Sequence, residues 1–214
     1  MSAEPGLRER KKQRTRQLIA DAAWQLFAER GFDRVTVAEV ARAADVSEAT
    51  VFNYFPTKED LVYGRMEAFE EELLQAIRER AAGESILTAF SRFVLQPRGL
   101  LASEDPEAAE GLATIARVIT TSRALVARER RIFARYTDSL AALIAEETGA
   151  DADDLEPWVA ANALIGVHRA LLDYVRREAL AGRRNPRLAR EVRSQAERAL
   201  DLLERGHGRY ALKA

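Results

Sequence analysis

The side chains best suited to chemistry lie in one short segment. Ser47, Glu48, Ala49, Thr50, Asn53 and Tyr54 are mostly short polar groups and one aromatic, types that can reach base edges or phosphates in a nucleic-acid groove. They are the positions left over once Val46, Val51 and Phe55 are given to the buried face of a short helix. A second candidate is the run Arg8, Arg10, Lys11, Lys12, Arg14 and Arg16, opposed by the single acid Glu9. Such a cluster either sits against phosphates or forms a solvated helix start. Formal net charge is −1, so affinity for DNA would come from charge placement and not from bulk charge.

Groupings that could catalyse a reaction are scarce. The 214 residues include 0 cysteines, which removes disulfides, thiolate zinc sites and cysteine nucleophiles. His168 and His207 are isolated from each other, and there is no HExxH, Gly-rich phosphate loop or nucleophile motif. Asp151, Asp153 and Asp154 precede a helix, where capping is their simplest use. No catalytic residue, metal ligand or cofactor is therefore expected. No apolar run has the length of a membrane span, and MSAEPGLRERKKQRTR lacks the apolar core of a secretion signal, so the expected location is cytoplasmic.

With 47% hydrophobic and 31% charged residues, the chain can pack a core beneath a well-solvated surface. Apolar residues recur with helical period almost throughout, and two-residue alternation is absent. Glycine, proline and capping residues divide the pattern into about nine helices. They are expected at about 9–30, 36–43, 47–54, 57–81, 84–96, 106–120, 122–148, 154–181 and 186–205. Thr36-Val-Ala-Glu39 has the capping-box pattern, Ser47 can cap the next helix, and Thr57-Lys-Glu-Asp60 the one after. Gly31, Pro56, Pro97, Gly149 and Gly182 supply stops, Asp105-Pro106 and Asn185-Pro186 supply starts, and Pro97 to Asp105 reads as a mobile loop. Val37, Val40, Ala41 and Ala44 give the first short helix an apolar face, and the two alanines allow its partner to approach closely. Two short helices packed on a longer first one can place the second in a major groove. The fold class is all-α, with a three-helix helix-turn-helix domain over 1–60 and a helical effector-binding and dimerisation domain over 61–214.

The stretch IADAAWQLFAERGFDRVTVAEVARAADVSEATVFNYFPTKEDL, from Ile19 to Leu61, resembles the DNA-binding region of the TetR family. The helix-1 aromatics, Gly31-Phe32, Thr36-Val37, Val46-Ser47, Thr50 and Tyr54-Phe55-Pro-x-Lys58 carry the likeness. The resemblance implies that Thr36, Thr50, Tyr54 and Lys58 meet the DNA backbone. It implies that Ser47, Glu48, Ala49 and Asn53 face base edges, where Asn can pair with adenine and Glu can accept from cytosine. Glu48 could equally serve the helix N-terminus. Two residues depart from the pattern: Phe52 stands where Tyr is frequent, and Asp45 where a turn Gly is common.

The resemblance further implies a homodimer through the helices at about 154–181 and 186–205. Leu188, Val192, Ala199 and Leu203 form one stripe there, and Ala161, Leu164, Leu171 and Val175 another. Helices 84–96, 106–120 and 122–148 would enclose a pocket for a small apolar or aromatic effector, with Phe90, Phe93, Arg117, Tyr136, Asn162 and His168 as candidate contacts. The expected function is a ligand-released repressor on a palindromic double-stranded operator. An activator of the same fold, or a helical ligand-binding protein without DNA binding, remains the alternative.

Overall fold

A computed structural model describes residues 6–64, 66–96, 98–103, 106–184 and 186–207. Among them there is helix and no strand: α1 (Leu7–Arg30), α2 (Val37–Ala43), α3 (Glu48–Tyr54), α4 (Asp60–Tyr63), α5 (Met66–Arg78), α6 (Ile86–Val94), α7 (Pro106–Thr121), α8 (Arg123–Thr148), α9 (Glu156–Leu180) and α10 (Arg187–His207). Most boundaries fall within a few residues of the expected ones. One expectation is corrected: the single helix foreseen over 57–81 is two, because α4 stops after one turn and Gly64 is a turn residue. The expected signals at Pro97, Asp105 and Asn185 lie outside the described residues, and between Pro97 and Asp105 the chain makes a 3-10 turn over Gly99–Ala102. No described helix is long and apolar enough to cross a membrane.

The chain divides into two compact units. The first holds Met1–Glu67 together with Val118–Arg128, the corner between α7 and α8. Its core starts on α1, where Ile19, Ala23 and Phe27 are fully buried. Gly31 (φ 79°) ends that helix in a conformation that side-chain-bearing residues rarely adopt, and its N–H donates to the Phe27 carbonyl at 2.9 Å. The turn brings Phe32 onto Phe27, ring centroids 5.1 Å apart, and Val35, Val40, Ala41, Val51 and Phe55 complete the same core. Three bonds attach the α7–α8 corner within this unit. The buried Ser122 hydroxyl donates to Asp33 at 2.7 Å, Tyr63 Oη donates to the Leu125 carbonyl at 3.2 Å, and Arg128 reaches Asp60 at 2.7 Å.

The second unit holds Ala68–Arg117 and Glu129–Ala214. Leu73, Ile77, Phe90, Tyr136, Leu140, Ile144 and Leu188 form its closed interior. α10 packs on α9 and α6. That packing uses up Ala161, Leu164 and Leu171 of α9 and Leu188 and Val192 of α10, all buried inside this single chain. The stripes expected to face a second subunit are therefore largely core. What α9 and α10 leave exposed is a different set: Leu155, Trp158, Val159, Leu180 and Leu202. Two charged pairs are also enclosed: Arg80 with Glu147 at 2.6 Å, and Arg176, which grips both carboxylate oxygens of Glu129.

Candidate nucleic-acid interface

The helix-turn-helix is set by local hydrogen bonds before any tertiary packing is counted. At the start of α2 the Thr36 hydroxyl accepts from the Glu39 amide at 3.2 Å, while the Glu39 carboxylate accepts from the Thr36 amide at 2.8 Å. Both partners of the expected capping box are thus in place. Those bonds, the Thr36 amide first, and the Arg30 guanidinium 2.9 Å away hold the Glu39 carboxyl down at about 2. The α2–α3 turn passes through Asp45 at φ 53°, the left-handed geometry that Asp tolerates better than most residues. Val46 N–H returns to the Ala41 carbonyl at 2.9 Å. Ser47 then caps α3, its oxygen accepting from the Thr50 amide at 3.1 Å.

This scaffold fixes which way α3 faces. Val51 and Phe55 are buried, so Glu48, Ala49, Phe52 and Asn53 are exposed, with Thr50 and Tyr54 half-buried at the edges. Beside α3, an open groove at the turn is lined by Ala38, Ala41, Arg42, Asp45, Val46, Ser47 and Glu48. Thr36 and Ser47 are exposed, but both hydroxyls already serve as caps. Lys58 is less free than its sequence position suggests. Its ammonium donates to the Phe32 carbonyl at 2.7 Å and lies 4.1 Å from the Phe32 ring centroid, and burial lowers its pKa.

Sequence reasoning missed one residue that orients this surface. Arg16 donates to the Tyr54 carbonyl at 3.4 Å and to the Gly64 carbonyl at 3.0 Å, and its guanidinium covers the Phe55 ring at 4.8 Å. It thereby ties α1 to the end of α3 and to the break after α4. A Cβ on Gly64 would lie 2.7 Å from the Asp60 carbonyl oxygen and 3.0 Å from Arg16, so the close approach needs glycine there. Arg16 stood in the basic run, and only its helical register with Ile19 and Ala23 distinguished it from its solvated neighbours.

In the second unit, three of the six candidate effector contacts come together. His168 is stacked on Phe69 at 4.4 Å, Phe69 meets Phe93 at 5.3 Å and Tyr136 at 5.9 Å, and Phe133 meets His168 at 6.0 Å. Burial, then the charges of Arg176 and Arg98, pushes the His168 imidazole down to about 4. Phe90 is fully buried nearby in the same unit, whereas Arg117 and Asn162 are exposed and do not join the group. Asn162 instead donates to the Trp158 carbonyl at 2.9 Å. Phe69 and Phe133 were not foreseen as members. A separate cavity of about 20 Å³, lined by residues including Ile86, Ile144, Leu164 and Leu203, has room for about one water. Among the described residues no group of three or more His, Cys, Asp or Glu side chains could hold a metal ion. Asp154 accepts from the Glu156 amide at 2.8 Å at the start of α9.

A capped helical pair that offers one polar helix face to solvent belongs to proteins that read DNA. The family model of the bacterial regulatory proteins of the tetR family matches residues 19–63, and that of the MftR C-terminal domain matches residues 86–207. The chain is 33% identical over 152 residues to the HTH-type transcriptional regulator TcmR of Streptomyces glaucescens, covering 70% of this chain and 67% of TcmR. It is 26% identical over 165 residues to MftR of Mycobacterium tuberculosis, a transcriptional regulator whose name ties it to mycofactocin biosynthesis, covering 74% and 78%. The fold is also that of NalD, described as the secondary repressor of the MexAB-OprM multidrug efflux pump in Pseudomonas aeruginosa. There the identity is 21%, the TM-score 0.57, and the coverage 92% of this chain and 96% of NalD. The chain belongs to the TetR family and is a DNA-binding transcriptional regulator.

Proposed function

We propose that the chain is a homodimeric repressor that grips a palindromic operator through paired α3 helices and leaves it when a small aromatic or apolar effector binds the second unit. The observation that carries this reading is the exposed arc of α3, fixed outward by the burial of Val51 and Phe55 and by the Ser47 cap. On it, Ser47, Glu48, Ala49 and Asn53 face base edges, while Thr36, Thr50, Tyr54 and Lys58 take phosphates. Lys58 must leave the Phe32 carbonyl to do so, exchanging one hydrogen bond for a charge-assisted one. The functional division is a DNA-binding domain to about residue 60 and an effector and dimerisation domain beyond it.

The exposed apolar face of α9, with Leu155 at 71%, Trp158 at 53% and Val159 at 47% exposure, together with Leu202 of α10, supports a subunit interface on these two helices. Two copies would then present α3 to successive major grooves, about one DNA turn apart. The aromatic group of Phe69, Phe93, Phe133, Tyr136 and His168 supports an effector with a planar ring, which would take the place of the half-buried Phe69. Moving the population from 1:99 to 99:1 needs about 5.5 kcal/mol of differential binding, within reach of one buried ligand per subunit. Band shifts with the intergenic DNA upstream of the gene test the reading. A folded dimer should bind at low salt and release on effector addition, and a dimer that binds no palindrome under those conditions overturns it.

A further inference from the structure

The exposed arc of α3 is not uniformly polar. Phe52 is 46% exposed, and Ala49, one turn earlier, is exposed beside it. With 3.6 residues per turn, Glu48, Phe52, Ala49 and Asn53 share one side of the helix, so the apolar pair sits between an acceptor and an amide. Both ends of α3 are fixed, by the Ser47 cap at the start and by Arg16 on the Tyr54 carbonyl at the end. The buried Val51 and Phe55 prevent the helix from rolling to hide the ring.

We infer that Phe52, with Ala49 beside it, reads the 5-methyl group of a thymine in each half-site. The inference rests on α3 being the DNA-reading helix, and it adds a specificity determinant to that reading. The argument is one of chemical matching. Of the groups that base pairs offer in the major groove, the thymine methyl is the apolar one; the others are hydrogen-bond donors and acceptors. A phenyl ring pressed on those would strip their water and return no bond, at a cost for each polar group left unsatisfied. Against a methyl the same ring loses nothing and buries apolar area. Glu48 and Asn53 flank the ring with groups that can address cytosine and adenine, so the arc carries readers for three of the four bases. The fourth, guanine, is best met by Arg or Lys, and α3 contains neither.

The test uses the full-length dimer and duplexes selected from a random-sequence library. In the best-bound duplex each thymine is replaced singly by deoxyuridine, which removes the methyl and leaves the Watson–Crick edge intact, and affinity is read by fluorescence anisotropy. One position per half-site should lose about four-fold on demethylation, the equivalent of ~0.8 kcal/mol for one methyl-sized group. Replacing both symmetric thymines should lose roughly fifteen-fold, if the two half-sites contribute independently. Phe52→Ala should bind more weakly and bring the thymine-to-deoxyuridine ratio at that position to one. A flat deoxyuridine scan of the wild-type protein overturns the inference while leaving DNA reading by α3 intact. So does a ratio that survives in Phe52→Ala, which would give the methyl to another side chain, and so does a ring that is protected by a second copy of the chain instead of by DNA. A folded dimer that selects no duplex overturns the DNA-reading assignment itself, along with this refinement of it.

Discussion

α3 and α9 both expose apolar side chains, yet the two helices owe their outward faces to different constraints. α3 is short, and almost every residue on it has a single use: Ser47 caps it, Val51 anchors it, and Glu48, Ala49, Phe52 and Asn53 face solvent. Its partner is a polymer of fixed geometry and fixed hydrogen-bonding pattern, so the permitted side chains are few. α9 is long, with one stripe of Ala161, Leu164 and Leu171 in the core of its own chain and another of Leu155, Trp158 and Val159 outside. For a helix of that kind any apolar residue of suitable size will serve on either stripe. A face that must match a code can be read from residue types. A face that must only exclude water needs to be seen packed.

The largest effect should come from breaking the outer stripe of α9 and the inner stripe of α10 in turn. Trp158→Glu places a charge at the centre of the exposed apolar face. We expect monomers by analytical ultracentrifugation with the thermal transition nearly unchanged. Operator affinity should fall by about 100-fold or more, because the second half-site no longer binds intramolecularly. Leu188→Ala, at a fully buried position, should instead cost about 2–5 kcal/mol of folding stability. If Trp158→Glu stays dimeric, the exposed stripe is not the interface.

The aromatic group of the second unit gives the next largest effect. His168 is held down to about 4, against an ordinary value of 6.5, chiefly by burial. Above pH 6.5 the ring is neutral whether the chain is folded or not. Between 6.5 and about 4 the unfolded chain gains a proton that the folded one refuses, so stability should fall as pH falls, by up to ~3 kcal/mol. The Glu39 carboxyl, lowered from 4.5 to about 2, acts in a more acid window, its contribution being lost only as pH drops below 4.5. The interval from 6.5 to 4.5 therefore isolates His168. His168→Phe, which keeps a ring on Phe69, should flatten melting temperature against pH there, and an unchanged slope would assign it to another group.

How far the sequence alone reached follows the same division. Capping residues announce themselves by type and spacing, so Thr36, Glu39 and Ser47 were legible, and with them the ends of α2 and α3. The break after α4 was not, since Gly64 sits inside an otherwise helical pattern and its need for glycine arises from Arg16 and Phe55 crowding it from elsewhere in the chain. The candidate effector contacts were half legible. Phe93, Tyr136 and His168 do meet, but Phe69, around which they gather, lies in the first turn of α5 and looked like any helical apolar residue. Arg117 and Asn162 were named for their polarity, a property that says nothing about which way a helix turns them. The α9 and α10 stripes were read at the right period and assigned to the wrong neighbour, because periodicity records burial without recording by what.

Two substitutions sharpen the reading of the first unit. Lys58→Ala should weaken binding to all sequences alike and reduce the slope of log affinity against log salt by about 0.9, one phosphate contact per subunit. Asn53→Ala should leave the salt slope alone and relax preference at one base pair, costing about 1–3 kcal/mol of discrimination. Selection profiles at two salt concentrations separate them. If Lys58 keeps its bond to the Phe32 carbonyl in the complex, the slope will not change, and the lysine is then a strut between the α1–α2 turn and the start of α4.

The smallest effect concerns Asp45, an exposed carboxylate in the turn that brings α3 to its partner. Its φ of 53° favours Gly, Asn or Asp, so Asn should hold the turn as well as Asp does and remove only the charge. Beside phosphates, that charge is repulsive over a Debye length of about 10 Å at 0.1 M salt and about 3 Å at 1 M. Asp45→Asn should therefore tighten operator binding by about two- to five-fold at low salt and by nothing measurable at high salt. Folding stability should stay within ~0.5 kcal/mol of the parent. Asp45→Gly would confuse the measurement by loosening the unfolded chain as well. An affinity that ignores Asp45→Asn at low salt puts the turn beyond electrostatic reach of the duplex. With Ser47 only two residues further on, the start of α3 could then hardly be at the DNA either.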